Sequence, residues 1–202
     1  MSKLKFTGQK VIGLTGPIGA GKDEVARILK RRGAYIIDAD SLAHKLYAAQ
    51  SPLWHELVKA FGSRILMRGG KINRKKLGEI VFADKKKLQL LDRLIHPILR
   101  EEIIKEIRLV TRDSRPVTVI VNAAVLKEIG LLDLVDQVWL VTAPQALRLK
   151  RLVKKGLAEK EVRRRIKAQA FSREYAQIAD VIINNTGTLK QLSGKIQASL
   201  QF

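Results

Sequence analysis

The sequence predicts an α/β fold with a central, mostly parallel five-stranded sheet and helices in layers around it. Short apolar runs alternate with helical patterns from the beginning of the chain, and a glycine-rich turn follows the first of these runs directly. Alternation of this kind is typical of parallel sheets, because each crossover between parallel strands needs a connection about as long as a helix. We expect the 202 residues to form one domain, 1–202, with inserted segments.

Five apolar runs are the predicted strands. They span residues 10–15, 34–37, 117–121, 138–142 and 181–183. The run 117–121 is the clearest, because it is rich in β-branched residues and follows Pro116. A helix over 23–32, ended by Gly33, connects the first two strands, and a last helix is expected over 189–200.

Two further segments are long and helical. Residues 41–110 show helical patterns with breaks near Ser51-Pro52, Gly62, Gly69-Gly70 and before Pro97, and separate helices are predicted over 74–82 and 85–94. Because this excursion is long for a simple crossover, we interpret 41–110 as an inserted helical substrate-binding region. Residues 145–171 are helical and densely basic, with an interruption around Gly156.

The charge of the chain is unusual. There are 39 Lys and Arg against 19 Asp and Glu, which gives a formal net charge of +20. A basic surface attracts polyanions, so nucleic acid is a conceivable partner. We favour a kinase for phosphate-rich substrates with solvated basic helix faces, because the cations are spread along the chain rather than gathered in a tail.

Composition also bounds the location of the protein. The chain contains no Cys, residues 1–10 are charged and lack an apolar signal core, and no apolar run approaches membrane-spanning length. We therefore expect a cytoplasmic protein without disulfides, thiolate metal sites or membrane contact.

The glycine-rich turn has the pattern of a phosphate-binding loop. Residues 16–23 read Gly-Pro-Ile-Gly-Ala-Gly-Lys-Asp between a strand and a helix, which is the context that this motif requires. Glycines let successive backbone N–H groups turn toward phosphate oxygens, and the helix dipole favours the same anion. The sequence thus predicts binding of a nucleoside triphosphate by Gly16, Pro17, Ile18, Gly19, Ala20, Gly21, Lys22 and Asp23.

Asp23 departs from the usual pattern of such loops. A Ser or Thr hydroxyl normally stands at this position and holds Mg²⁺. A carboxylate can bind Mg²⁺ as well, and it is also favoured at the start of a helix by the dipole. Asp23 is therefore a candidate metal ligand, with a helix-start residue as the alternative.

Polar residues follow the other strands, and ligands of open α/β sheets bind at the carboxyl ends of the strands. Asp38 and Asp40 follow the second strand, Asn122 follows the third, and the basic segment follows the fourth. Two interpretations of the Asp pair stay open. One carboxylate caps the next helix, or one accepts a proton from an attacking hydroxyl during phosphoryl transfer.

Along nearly its whole length the chain resembles the bacterial dephospho-coenzyme A kinases. The matching stretches are 11–26, 35–44, 72–82, 94–100, 124–132 and 169–185. The most specific are Ile37-Asp38-Ala39-Asp40, Leu94-Ile95-His96-Pro97, and Ser172-Arg173-Glu174 followed by Ala179-Asp180-Val181-Ile182. The resemblance implies a three-layer P-loop kinase fold with a helical substrate-binding region and a lid, here 145–171. It also implies phosphorylation of the ribose 3′-hydroxyl of dephospho-coenzyme A by ATP with Mg²⁺.

The resemblance also assigns roles to single residues. Lys22 matches the lysine of the family's phosphate loop, and Asp40 matches the acidic residue that acts as base or orients the hydroxyl. Arg151 matches a lid arginine that reaches the phosphates, so the predicted catalytic residues are Asp40, Lys22 and Arg151. Asp38, Asp40 and His96 are the predicted substrate-binding residues. Asp23 and Asn122 depart from the family, which carries Ser or Thr at the first position and, in many members, Asp at the second.

Three functions remain open from the residues themselves. The first is a dephospho-coenzyme A kinase, expected to be a monomer. The second is another small-molecule P-loop kinase, and the third is a P-loop protein that binds nucleotide or RNA without phosphoryl transfer. Lys22, Asp40 and Arg151 favour the first, while the +20 charge and the altered metal positions favour the third.

Overall fold

The computed structural model describes residues 10–112, 117–168 and 173–200. Within these ranges one sheet contains the strands β1 (Lys10–Thr15), β2 (Tyr35–Asp38), β3 (Thr118–Asn122), β4 (Gln137–Thr142) and β5 (Val181–Asn184). Their order is β2-β3-β1-β4-β5, and every neighbouring pair is parallel. The predicted five-stranded parallel sheet is therefore confirmed, with each predicted strand end within one residue of the observed one.

An apolar core lies on each face of the sheet, because successive side chains of a strand point to opposite faces. In β3, Val119 and Val121 belong to one core and Ile120 to the other. The Ile120 core is covered by α1 (Lys22–Arg31) and α9 (Leu189–Leu200). The opposite core is covered by the helices that lie between β2 and β3. The fold thus has three layers, as predicted.

The segment between β2 and β3 is helical. It contains α2 (Ala39–Leu46), α3 (Pro52–Phe61), a short 3₁₀ turn (Ser63–Ile65), α4 (Arg74–Phe82) and α5 (Lys85–Val110). The predicted breaks at Ser51-Pro52, Gly62 and Gly69-Gly70 are confirmed, and Leu66 pairs with Ile72 as an isolated bridge around the glycine pair. Ser51 caps α3 by accepting a hydrogen bond from the Trp54 amide at 3.1 Å.

The predicted break before Pro97 is wrong, because α5 continues through this residue to Val110. A proline inside a helix costs roughly 3 kcal/mol, since it lacks the N–H donor and its ring crowds the preceding turn. Ile95, Leu99, Ile103 and Ile107 form one buried stripe that spans the proline. Each fully buried side chain of this kind contributes about 1.5–3 kcal/mol, so packing outweighs the local cost.

The predicted lid segment begins with two helices, α6 (Gln145–Lys154) and α7 (Glu159–Ala168). Gly156 has a φ of 89° between them, where the interruption was predicted. Residues 169–171 of the lid prediction and Ser172 of the quoted motif lie outside the described residues. A further helix, α8 (Arg173–Ile178), precedes β5. Among the described helices, none is both long and apolar enough to cross a membrane.

Candidate active site

A cavity of about 770 Å³ lies where the carboxyl ends of the strands meet. Gly16 follows β1, Asp40 follows β2, Ala124 follows β3 and Asn185 follows β5, and all four residues line this cavity. The basic helix α6 follows β4 and closes another side with Arg151, Lys154 and Lys155. The strand-end rule therefore brings residues far apart in sequence to one site.

The cavity contains most of the predicted site residues. Gly16, Pro17, Ile18, Gly19, Gly21, Lys22, Asp23, Asp40 and Arg151 all line it. Ala20 is fully buried and contributes its backbone instead. Asp38 and His96 are not among the residues that line the cavity.

The phosphate loop depends on Gly21, which precedes the first residue of α1. Its φ of 96° is left-handed, and a Cβ at this position would lie 2.2 Å from Nδ2 of Asn185. Only glycine meets both conditions without strain. Because Gly21 offers no side-chain cap to α1, the first N–H groups of that helix have no capping side chain. Such groups are suited to bind anions such as phosphate.

Lys22, Asn122 and Asp38 form a continuous chain of hydrogen bonds. The Lys22 Nζ donates to Oδ1 of Asn122 at 2.6 Å, and the Asn122 Nδ2 donates to Oδ2 of Asp38 at 2.9 Å. Asn122 is 2% exposed at the end of β3. The chain links the lysine of the phosphate loop to the end of β2, two strands away in the sheet.

Asp38 is the residue that caps the helix after β2. Its Oδ1 accepts a hydrogen bond from the backbone N–H of Ser41 at 2.7 Å, and it is the N-cap of α2. Burial acts to raise the pKa of Asp38, but hydrogen bonds from Ser41 and Asn122 and the charge of Lys22 together bring the pKa below its ordinary value. The helix-cap interpretation therefore applies to Asp38, which stays ionised at neutral pH.

Asp40 has a different environment although it lies only two residues away. It lies in the first turn of α2, it is exposed, and it lines the cavity. Its carboxylate is thus available to a bound molecule. The structure separates the two aspartates that the sequence left equivalent, since one is structural and the other faces the site.

Arg151 and Asn185 hold the phosphate loop from the outside. The Nη1 of Arg151 donates to the carbonyl oxygens of Ala20 at 3.2 Å and Gly19 at 3.5 Å, and its Nη2 donates to the Asn185 carbonyl at 3.0 Å. The Nδ2 of Asn185 also donates to the Ala20 carbonyl, at 2.8 Å. Because these contacts engage loop carbonyls, they favour a loop conformation in which N–H groups turn the other way.

Asp23 is a largely exposed member of the site. Its side chain is 69% exposed, and its Oδ1 lies 3.6 Å from the Lys22 Nζ. Among the described residues no three His, Cys, Asp or Glu side chains cluster as a ready-made metal site. Mg²⁺ is usually held by one or two carboxylates together with water and substrate phosphates, so exposed carboxylates at Asp23 and Asp40 fit that ligand set.

His96 lies in the helical region rather than at the cavity. Its Nε2 is 3.7 Å from Oδ1 of Asp92, one turn earlier on α5. Burial raises the pKa of Asp92, and the charge of His96 opposes that rise. The contact of His96 with substrate stays a prediction from the family resemblance.

The main residue that the sequence analysis did not identify is Asn185, which directly follows β5. It is 6% exposed, and a polar side chain so deeply buried needs hydrogen-bond partners. The sequence did contain a signal, because Asn185 is a polar residue directly after a parallel strand, and Asp40 and Asn122 likewise lie at or just after the ends of β2 and β3. Its contact with the loop could not be read from a sequence separation of 165 residues.

The fold and this site together define a P-loop kinase. A phosphate loop after the first strand, a free carboxylate after the second and a basic helix at the cavity edge are arranged on one parallel sheet. A shikimate kinase from Acinetobacter baumannii shares this fold, with a TM-score of 0.51 and 20% identity over 97% of this chain and 95% of that one.

The particular family follows from sequence comparison. The family model for dephospho-CoA kinase matches residues 10–191, so the chain belongs to the dephospho-CoA kinase family. The dephospho-CoA kinase of Aquifex aeolicus is 39% identical over 90% of this chain and 91% of the relative. The solved dephospho-CoA kinase from Campylobacter jejuni has a TM-score of 0.70 and 26% identity, covering 96% of each chain.

Proposed function

We propose that the protein transfers the γ-phosphoryl group of ATP to the ribose 3′-hydroxyl of dephospho-coenzyme A, giving coenzyme A and ADP. The observation that carries the proposal is that Lys22 of the phosphate loop and the exposed Asp40 line the same cavity in a member of this family. Another small-molecule kinase and a binding protein without activity were open from the residues alone. Family membership disfavours both.

The phosphate loop and Lys22 bind the donor. The N–H groups of the loop and of the first turn of α1 donate hydrogen bonds to the β- and γ-phosphates, and the Lys22 ammonium pairs with them. Phosphoryl transfer needs little covalent chemistry from the protein, so holding the phosphates in line with the acceptor is the main task. Lys22 is suited to it, because its side chain is only 11% exposed and is held from behind by Asn122.

Asp40 acts on the acceptor. Its carboxylate accepts a hydrogen bond from the 3′-hydroxyl, orients that oxygen toward the γ-phosphorus, and takes the proton as the O–P bond forms. Asp38 is less suited to this role, since it does not line the cavity and its carboxylate caps α2 and accepts a hydrogen bond from Asn122.

Arg151 joins the loop to the lid segment 145–171. In the structure its guanidinium engages the loop carbonyls, and we propose that it meets the phosphates when α6 and α7 close over bound ATP. A planar fork of donors is suited to charge that spreads over phosphoryl oxygens in the transition state. Region 41–110 is proposed to bind the remainder of the acceptor.

Asp23 is proposed to hold Mg²⁺ together with the phosphates of ATP. The ion would neutralise charge on the phosphates when bound. The protein is further proposed to act as a monomer, with nucleic acid as a disfavoured partner, and the cytoplasmic location stays a prediction.

The experiment is a product assay with an Asp40 variant. Purified protein with ATP, Mg²⁺ and dephospho-coenzyme A should form coenzyme A detectable by mass spectrometry, and adenosine and nucleoside monophosphates should be poor acceptors. Asp40→Asn should lower kcat by about 100-fold or more with ATP affinity nearly unchanged, because general-base contributions are of this order.

Asp136→Asn is the control for that assay, since Asp136 is an exposed carboxylate that lies outside 41–110 and 145–171 and does not line the cavity. Its hydrogen bond from the Val11 amide can be kept by the amide oxygen of Asn. Near-full kcat in Asp40→Asn would show that Asp40 is not the base. Absence of coenzyme A formation by the wild-type protein would instead support binding without transfer.

A further inference from the structure

We infer that Asn122 is a positioning residue that holds Lys22 toward the phosphates, through an amide whose orientation Asp38 sets. The inference rests on the proposed function only in that Lys22 binds the phosphates of ATP. It assigns a role to Asn122, which stands where many members of the family carry Asp.

The sheet register places the two partners side by side. Asn122 is opposite Asp38 in the β2–β3 pairing and opposite Leu14 in the β1–β3 pairing. Both strands end at the edge that carries the phosphate loop. Because backbone pairing fixes this register, Asn122 and Asp38 are held together independently of Lys22.

Donor and acceptor chemistry then determines which way the amide faces. An ionised carboxylate can only accept and an ammonium can only donate, so a residue between Asp38 and Lys22 must do both. The amide of Asn122 satisfies this, with Nδ2 toward Asp38 at 2.9 Å and Oδ1 toward Lys22 at 2.6 Å. A carboxylate at position 122, which many members of the family carry, can still accept a hydrogen bond from Lys22, but it cannot donate one to Asp38.

The neutral partner also matters for Lys22 itself. An ammonium has three donors, and Asn122 takes one of them without cancelling the positive charge. The nearby carboxylate of Asp23 is mostly exposed and lies 3.6 Å away, so it competes weakly. Lys22 thus faces the cavity with its position fixed and its charge available to ATP.

Two variants at one position test the proposal, with ATP affinity measured by calorimetry in the absence of acceptor. Asn122→Leu removes both hydrogen bonds at a similar volume and should weaken ATP binding by about tenfold. Asn122→Asp keeps an acceptor for Lys22, as in the family members with Asp at this position, and should bind ATP within about threefold of the wild type.

The melting temperature of each variant is measured without ligand, to separate site effects from folding. If Asn122→Leu does not fold, Asn122→Ala gives the answer, because it also removes both hydrogen bonds and should weaken ATP binding about tenfold. Wild-type affinity in a folded Asn122→Leu or Asn122→Ala variant overturns the proposal, and so does an Asn122→Asp variant that binds ATP no better than Asn122→Leu.

The same design separates this proposal from the proposed function. If the wild-type protein binds ATP and the variants behave as expected, but no coenzyme A forms, the proposed function fails and the positioning role stands. If coenzyme A forms but the variants bind ATP as the wild type does, the positioning role fails alone.

Discussion

Different interactions stabilise the strand-end edge of the sheet and the helical region 41–110. Among the described residues, the buried polar side chains are Thr15, Asn122 and Asn185, and all three lie at or just after the carboxyl end of a strand. The helical region buries apolar side chains, among them Leu53, Leu57, Phe61 and Ile65. Burying a polar group costs free energy unless the group is hydrogen-bonded. A buried polar side chain therefore marks a position where hydrogen-bond geometry, rather than apolar packing, is required.

The two regions also differ in how well their contacts tolerate a small displacement of side chains. At the strand ends, contacts such as that of Lys22 with Asn122 or Arg151 with Ala20 join residues at least 100 positions apart in the chain. Each depends on distances near 3 Å and on direction. Apolar packing tolerates shape changes better, provided that volume is kept. Function should therefore be more sensitive at the edge, and stability more sensitive in the helical region.

The largest effect expected in the helical region is on stability. Leu57 is fully buried between α3 and the rest of its core, so Leu57→Ala should lower the free energy of unfolding by about 2–5 kcal/mol. Affinity for ATP should stay within about threefold, since the phosphate loop is on the sheet edge. Denaturant unfolding and calorimetry measure the two quantities. Leu57→Met is the volume-conserving control and should cost less than about 1.5 kcal/mol.

If Leu57→Ala reduced the free energy of ATP binding by as much as it reduces the free energy of unfolding, the two regions would not be independent. The comparison would then be wrong in its main claim. Loss of affinity for dephospho-coenzyme A alone would instead agree with the proposed role of region 41–110.

The next largest effect is expected on ATP binding at the strand-end edge, and two glycines provide a matched comparison. Gly21 and Gly33 have φ values of 96° and 90°, so alanine at either position pays a similar left-handed cost of about 1–2 kcal/mol. At Gly33 a Cβ would meet nothing within 4 Å, whereas at Gly21 it would lie 2.2 Å from Asn185 Nδ2. Gly21→Ala should therefore weaken ATP binding by about tenfold or more, while Gly33→Ala should not.

Calorimetry with ATP and thermal unfolding of both variants check this prediction. Equal losses of ATP affinity in the two variants would show that backbone strain alone, and not the contact with Asn185, controls the loop. In that case the hydrogen bonds that Asn185 and Arg151 donate to the loop carbonyls would have no role in shaping the phosphate site.

The sequence predicted the sheet well because strands in a parallel sheet are nearly continuous apolar runs. It also indicated the candidate site, because strand ends converge by topology. The loop motif identified Gly21 and Lys22, and the family resemblance singled out Asp40. Pro97 was misjudged because its cost is local, while the buried stripe of α5 that offsets it is a tertiary property. The roles of Asp38 and Asn185 could not be predicted for a similar reason, since each depends on which residue the folded chain places opposite.

The smallest effect is expected at Asp23, an exposed carboxylate of the polar edge. Its one described ion pair, with Lys22 at 3.6 Å, leaves the side chain 69% exposed, and such pairs contribute little to stability. Asp23→Ser should therefore leave the melting temperature nearly unchanged. Its effect should appear only in the presence or absence of Mg²⁺, because a carboxylate beside the phosphates repels ATP unless a cation lies between them.

The measurement is the affinity for ATP with Mg²⁺ and with a chelator. The wild-type protein should depend steeply on Mg²⁺, and Asp23→Ser should reduce that dependence several-fold while keeping some activity, since a hydroxyl can also hold the ion. Glu56→Gln, outside the cavity, should keep the wild-type dependence. If ATP binds equally well under both conditions and Asp23→Ser changes nothing, Asp23 is a helix-start residue only. ATP binding would then depend on Lys22 and Asn122, which a hydrogen bond joins, and the exposed carboxylate beside the phosphates would not affect it.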